Sequence, residues 1–274
     1  MKLKHFLPLA IIAILASCNS NPKLQEYHGK IEKIKVTGYS TVEKFGELVP
    51  EEIGLVYTAE FNKQNVPIVE TFYDEDGYMI QMVKTAYDKN NNIVKYELYG
   101  WDEELAFSQE CTYKGDKIQT MTTRTDISKP RKYQYKYKKG KIASVELYVD
   151  DELNSTNIHE YKKEQCEVNI YAASGELIET YYVKRNKYNQ ILSYQEDDKI
   201  LSVEYNKENL PSKVENFKYD YNFIARDKIQ ERTGRRSCEI EYEYDKKGNW
   251  DKKIIYDSID DSNIIMVLRE ITYR

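Results

Sequence analysis

The stretch that decides the fold is YDEDGYMIQMVKTAYDKNNNIVKYELY, residues 73–99. It says nearly the same thing twice. Tyr73-Asp74 leads through Asp76-Gly77 to Ile80, and then Tyr87-Asp88 leads through Asn90-Asn91 to Ile93. A calcium loop opening at Asp74 would need oxygen ligands at Asp74, Asp76 and position 78, and a carboxylate at position 85. Those two positions hold Tyr78 and Thr85, whereas Asp76-Gly77 is a favoured hairpin pair. The repetition therefore reads as a device for folding the chain, with no metal or cofactor expected.

The pattern continues in both directions. An aromatic followed by a polar turn and an aliphatic residue recurs at a nearly constant interval at Phe61, Tyr87, Tyr113, Tyr137 and Tyr161, with Arg185 standing in for the aromatic in the next copy. Tyr205 and Tyr244 extend it with a looser period. Between these turns lies a second, acidic class, including GWDEEL at 100–105 and VDDEL at 149–153. Turns of two classes, alternating at the short, regular spacing seen here, are what an antiparallel meander requires.

The segments between them have period 2. Tyr133, Tyr135 and Tyr137 share one face while Gln134, Lys136 and Lys138 share the other, and Ile240, Tyr242 and Tyr244 oppose Glu239, Glu241 and Glu243. A helix cannot separate these sets. The expected fold is all-β, an extended antiparallel β-meander of repeated hairpins in a twisted or curled sheet. One face is aromatic and aliphatic and the other charged. No long amphipathic helix is expected, and the free end strands of such a sheet are open to pairing with a partner.

Tyr73-Asp74 to Gly77, Tyr87-Asp88 to Asn91 and EYDKKGNW at 243–250 resemble the YD (RHS-like) repeat, whose core is Tyr-Asp, a few residues, then Gly-Asn. The resemblance spans residues 61–256, although several copies carry Tyr-Lys and lack the Gly. It implies a sheet built hairpin by hairpin. The toxin-enclosing shell of large YD-repeat proteins does not carry over to so few repeats. Small lipoproteins with degenerate YD-like repeats are the nearer likeness, and they imply no activity.

The N-terminal stretch MKLKHFLPLAIIAILASC, ending at Cys18, forms a basic start and a short apolar run. The run suits a signal peptide better than a transmembrane helix, which needs about 20 apolar residues. Leu15-Ala16-Ser17-Cys18 resembles the bacterial lipobox, so residues 1–17 read as a lipoprotein signal and Cys18 as the lipid attachment site. Residues 18–26 form the lipidated tether and 27–274 a single β domain. Asn19 is not the aspartate associated with inner-membrane retention, and residues 19–23 hold no acid. An outer-membrane lipoprotein facing the periplasm is expected, attached to the membrane through its lipid.

Charged residues make up 32% of the chain, yet it has 26 tyrosines, a pairing that argues for order. Without Lys2 and Lys4 the 41 bases fall to 39 against 46 acids, a net charge of −7. With the bases scattered, as in Lys138-Lys139 and Arg235-Arg236, no nucleic-acid partner is expected.

The remaining cysteines, Cys111, Cys166 and Cys238, lack metal or redox spacing and read as small buried side chains. His159 lies an odd number of positions before Cys166. Within one strand an odd offset puts the two on opposite faces, so His159 is expected in solvent. The carboxylate pairs Glu103-Glu104, Asp150-Asp151, Asp197-Asp198 and Asp260-Asp261 read as solvated hairpin tips, without the raised pKa a glycosidase acid needs. No catalytic residue is assigned. The tyrosine face reads mainly as core, and Trp101, at a hairpin tip, is the candidate contact residue. The function expected is a non-catalytic, lipid-anchored binding or scaffolding module for a glycan or an envelope protein. The alternative is a periplasmic carrier or assembly factor whose half-barrel shelters a lipid or an outer-membrane component.

Overall fold

The computed structural model describes residues 27–162, 165–218, 221–227, 229, 231–258 and 264–274. Residues 1–26, read above as a signal, the lipid site Cys18 and a tether, and Asp260-Asp261 lie outside the described residues. These residues form eighteen strands, beginning with β1 (Ile31–Lys44), β2 (Glu47–Phe61), β3 (Pro67–Tyr73), β4 (Met79–Tyr87), β5 (Ile93–Tyr99) and β6 (Leu105–Lys114). There follow β7 (Lys117–Thr125), β8 (Arg131–Lys138), β9 (Lys141–Val149), β10 (Glu152–Lys162), β11 (Gln165–Ala172) and β12 (Leu177–Arg185). The last are β13 (Ile191–Glu196), β14 (Lys199–Tyr205), β15 (Pro211–Phe217), β16 (Arg236–Tyr244), β17 (Trp250–Asp257) and β18 (Ile264–Tyr273). One short helix, α1 (Tyr221–Arg226), interrupts them.

Each strand pairs antiparallel with the next, and β1 also pairs with β18, from Ile31 opposite Tyr273 to Ser40 opposite Ile265. The sheet is therefore a closed barrel. The expectation of open end strands is corrected: accumulated twist over so many hairpins brings the first and last strands together, and closure removes both edges. Strands 31–61 and 264–273 carry little of the repeat signature, so the repeat alone did not announce the join.

The repeat itself has a physical explanation. Asp88 Oδ1 accepts hydrogen bonds from the amides of Asn90 (2.8 Å) and Asn92 (2.9 Å), and Asn91 adopts a φ of 62°. Asn62, Asp74, Asn186, Asn206 and Asp245 close their turns in the same way. The Asx residue after the aromatic is thus the turn's cap, and the Gly or Asn that follows within the turn takes the left-handed backbone. Asp74, weighed above as a calcium ligand, spends its Oδ1 on the amides of Asp76 and Tyr78.

Tyrosines at or near the ends of even-numbered strands also have a fixed task. Tyr87 donates its hydroxyl hydrogen bond to the Pro67 carbonyl (2.9 Å), Tyr113 to Ile93 (3.0 Å), Tyr137 to Ile118 (2.9 Å), Tyr205 to Ile191 (2.9 Å) and Tyr242 to Pro211 (3.0 Å). Each bond ties the end of one strand to the start of its neighbour at the rim where no turn joins the two. The ring is half-buried and its hydroxyl is satisfied, which is why tyrosine serves here in place of phenylalanine.

The two faces of the sheet differ sharply. Ile34, Ala59, Glu70, Val83, Leu98 and Phe107 lie directly opposite one another from β1 to β6, all buried inside the barrel. Outside, Lys252 pairs with Glu243 (2.7 Å), Lys162 with Glu167 (2.8 Å) and Lys136 with Glu146. A lipid-facing barrel has the reverse arrangement, and each basic side chain at mid-bilayer would cost about 2–4 kcal/mol. No described helix is long and apolar enough to cross a membrane.

Candidate functional site

Between β15 and β16 the chain leaves the sheet and enters the barrel. Phe223, Ile224 and Ala225 of α1 are buried, and Phe223 meets Phe217 with ring centroids 4.7 Å apart. Asp227, just past α1, accepts hydrogen bonds from Lys253 Nζ (2.6 Å), Trp250 Nε1 (2.9 Å) and Tyr242 Oη (3.2 Å), with Arg269 Nη2 at 3.6 Å. Arg226 pairs with Glu70 (3.0 Å) over the rings of Tyr57 and Phe72. Burial pulls the Lys253 and Arg269 pKa values down, opposed by Asp227 and, for Arg269, by Tyr27. Burial also works against the Arg226 charge, but Glu70 and the hydroxyls of Tyr57 and Tyr96 outweigh it and raise its pKa. This network fastens a plug to the wall and makes an ion-conducting lumen a poor description of this part of the interior.

His159 corrects an expectation. It is buried, and its Nδ1 lies 3.8 Å from Cys166 Sγ. The chain turns between β10 and β11, so Tyr161 opposes Cys166 and His159 opposes Val168, and the odd offset no longer separates the faces. Both side chains are nearly out of solvent (7% and 6% exposed), which closes this thiol to a substrate in solution. Cys111, Cys166 and Cys238 are all buried and form no disulfide. In the Cys111 and Cys238 thiols burial raises the pKa, to about 11 and about 12, so neither is an activated nucleophile.

The remaining candidate is one rim. Turns after odd-numbered strands gather at what is here called the upper rim, and those after even-numbered strands at the lower rim. Trp101 stands in the upper turn between β5 and β6 and is 78% exposed. Around the same rim stand Tyr78, Leu105, Ile127, Leu153 and Leu177, all exposed. β1 and β2 also continue beyond their last pairings with their outer neighbours, Ser40 with Ile265 and Val56 with Tyr73. Residues 42–54 therefore stand clear of the wall as a two-stranded arm, with Phe45 fully exposed at its tip. Of thirteen exposed large apolar side chains among the described residues, ten lie on this rim or arm.

Charge is sorted too. The seven upper turns from β1/β2 to β13/β14 hold twelve acids and one base, Lys129. The seven fully described lower turns hold seven bases and four acids. The reading of scattered lysines is thereby corrected, because alternate turns that interleave in sequence part to opposite ends in space. Trp101 and the acid pairs of three tips were legible. The arm was missed, though Phe45-Gly46 between two alternating segments is a turn signal.

No family model matches the chain, and no curated protein matches it by sequence. Among solved structures it is similar to a porin-like protein from Bacteroides uniformis, at 10% identity and a TM-score of 0.38, covering 91% of this chain and 99% of that one. A LolA superfamily protein from Nitrosomonas europaea follows at 7% identity and a TM-score of 0.19, covering 92% and 90%. At these scores neither supplies a function for this chain.

Proposed function

We propose that the chain is a non-catalytic, lipid-anchored protein of the outer membrane, built on degenerate YD-like repeats, that binds another envelope protein in the periplasm through its upper rim and arm. The observation that carries this reading is the concentration of exposed apolar side chains, with the acidic turns, at one end of a barrel whose wall is charged and whose interior holds a plug. Aromatic and aliphatic anchors ringed by charge are the ordinary composition of a protein contact. A glycan is favoured less, because these side chains stand on separate tips instead of lining one cleft. The unpaired edges of the arm add backbone groups for strand addition, with Pro50 blunting one of them.

The test is a photoreactive amino acid placed at Phe45, Trp101 or, on the wall, Lys136, followed by irradiation of intact cells. Adducts of one discrete mass are expected from positions 45 and 101 and none from 136. Equal labelling at all three, or none at the rim, sinks the proposal. The carrier reading draws on the β4–β11 side, where the buried apolar side chains form separate groups. An acyl lipid recovered in stoichiometric amount from the purified protein would replace the rim with the interior as the working site.

A further inference from the structure

We infer that the lower rim docks on the anionic phospholipid surface of the membrane that holds the protein's lipid, so that the barrel stands with its acidic rim turned away. The inference rests on the reading of Cys18 as the lipid site.

Two groups of contacts fix where the tether leaves. His28 donates its amide to Asn249 Oδ1 (2.8 Å), and Asn65 Nδ2 donates to the Gly29 carbonyl (2.6 Å). Asn249 and Asn65 belong to the lower turns β16/β17 and β2/β3. Residues 19–26 stretch at most about 28 Å, so the lower rim is the end held near the bilayer. Across the barrel from that exit, the ends of β6–β10 carry an exposed arc: Lys114, Lys117, Lys138, Lys139, Lys141 and Lys162, with Asp116 among them. Lys117 lies over the ring of Tyr137 and Lys141 over that of Tyr161 (5.3 and 4.5 Å), while Lys162 shares its charge with Glu167. The lipid and the arc would thus hold opposite sides of one rim, a two-signal attachment of the kind that gives stable, oriented binding.

The chain's net negative charge does not oppose this. Strands of nine or ten residues, such as β6 and β7, rise about 30 Å along their length and somewhat less along a tilted barrel axis. The acidic rim therefore lies more than two Debye lengths, each about 8 Å, from a surface the lower rim touches.

Every described strand lies within residues 31–273, so a chain beginning at Asn19 keeps the whole closed sheet and isolates the rim from the lipid. Its co-sedimentation with phosphatidylcholine vesicles should rise about tenfold or more when phosphatidylglycerol is mixed in, and fall back in high salt. The triple variant K114E/K138E/K141E, all exposed positions, should lose that gain, and D102K on the upper rim should keep it. Equal binding to both vesicle types, or a triple variant that binds like the parent with an unchanged melting temperature, overturns the inference. Metabolic palmitate labelling of the full chain against its Cys18→Ala variant tests the lipid reading separately, so the two can fail independently.

Discussion

The two sides of the barrel are built from the same repeat and filled differently. On the side formed by β1–β3 and β12–β18, one continuous cluster of twenty-four buried apolar residues surrounds α1. From β4 to β11 the buried apolar residues break into separate groups of six, three and two. Asx-capped turns and tyrosine stitches occur on both sides: Asp88 and Tyr113 on one, Asn206 and Tyr205 on the other. The difference lies in the long upper connection between β15 and β16, whose described residues bring Phe223 and the Asp227 network into one side alone. The repeat sets the sheet. The exception to the repeat sets the core.

The comparison breaks if Asp227 is dispensable. Asp227→Ala would leave Lys253 and Arg269 buried without their shared carboxylate, and removing one partner of a buried ionic network costs about 3–5 kcal/mol. Urea unfolding followed by circular dichroism should show this as a large drop in midpoint. A loss below about 1 kcal/mol would mean that the plug is an accessory and that the wall closes without it.

How much of this was legible follows the same division. The all-β class and the alternating turns could be read from residues 73–99, because Asx caps and period-2 faces are local rules with local residues. The tyrosine face could be read as core, though not the backbone carbonyls its hydroxyls meet, since those lie 14 to 31 residues away. Closure depended on strands that carry little of the motif. The plug depended on contacts such as that of Arg226 on α1 with Glu70 on β3, far apart in the sequence, and nothing in YNFIAR announces a partner so distant. Trp101 was found because a tip tryptophan is conspicuous by itself. The rim it belongs to appears only when alternate turns are sorted into two ends.

A smaller effect sharpens the contrast by making the same cut on both sides. Tyr205→Phe removes the stitch to Ile191, which is buried, and Tyr113→Phe removes the stitch to Ile93, which is only half-buried. A carbonyl stripped of its donor costs about 1–3 kcal/mol when water cannot replace it, and about 1 kcal/mol or less when it can. Tyr205→Phe should therefore be the more destabilising of the pair in denaturant melts. Equal costs would show that water is excluded as well from the β4–β11 side as from the other, and the distinction between a filled and a looser interior would fall.

The smallest effect lies at the margin of the filled side, on β12 and β13, next to the seam with β11. Glu179 is half-buried, and its pKa is raised by burial first, then by a hydrogen bond to Glu196 and the repulsion of that carboxylate. A carboxyl whose folded pKa lies above its unfolded value holds its proton more tightly in the native state. Its contribution is fully present below the unfolded value and is lost as pH rises through the folded one. Acidifying from neutrality toward the ordinary glutamate range should thus raise the melting temperature slightly, against the usual trend of acid destabilisation. Glu179→Gln places a permanent donor beside Glu196, so the variant should melt slightly higher than the parent at neutral pH and lack that gain on acidification. If both proteins follow the same pH curve, the two carboxyls are not sharing a proton, and the margin of the filled side is already open to water at this point.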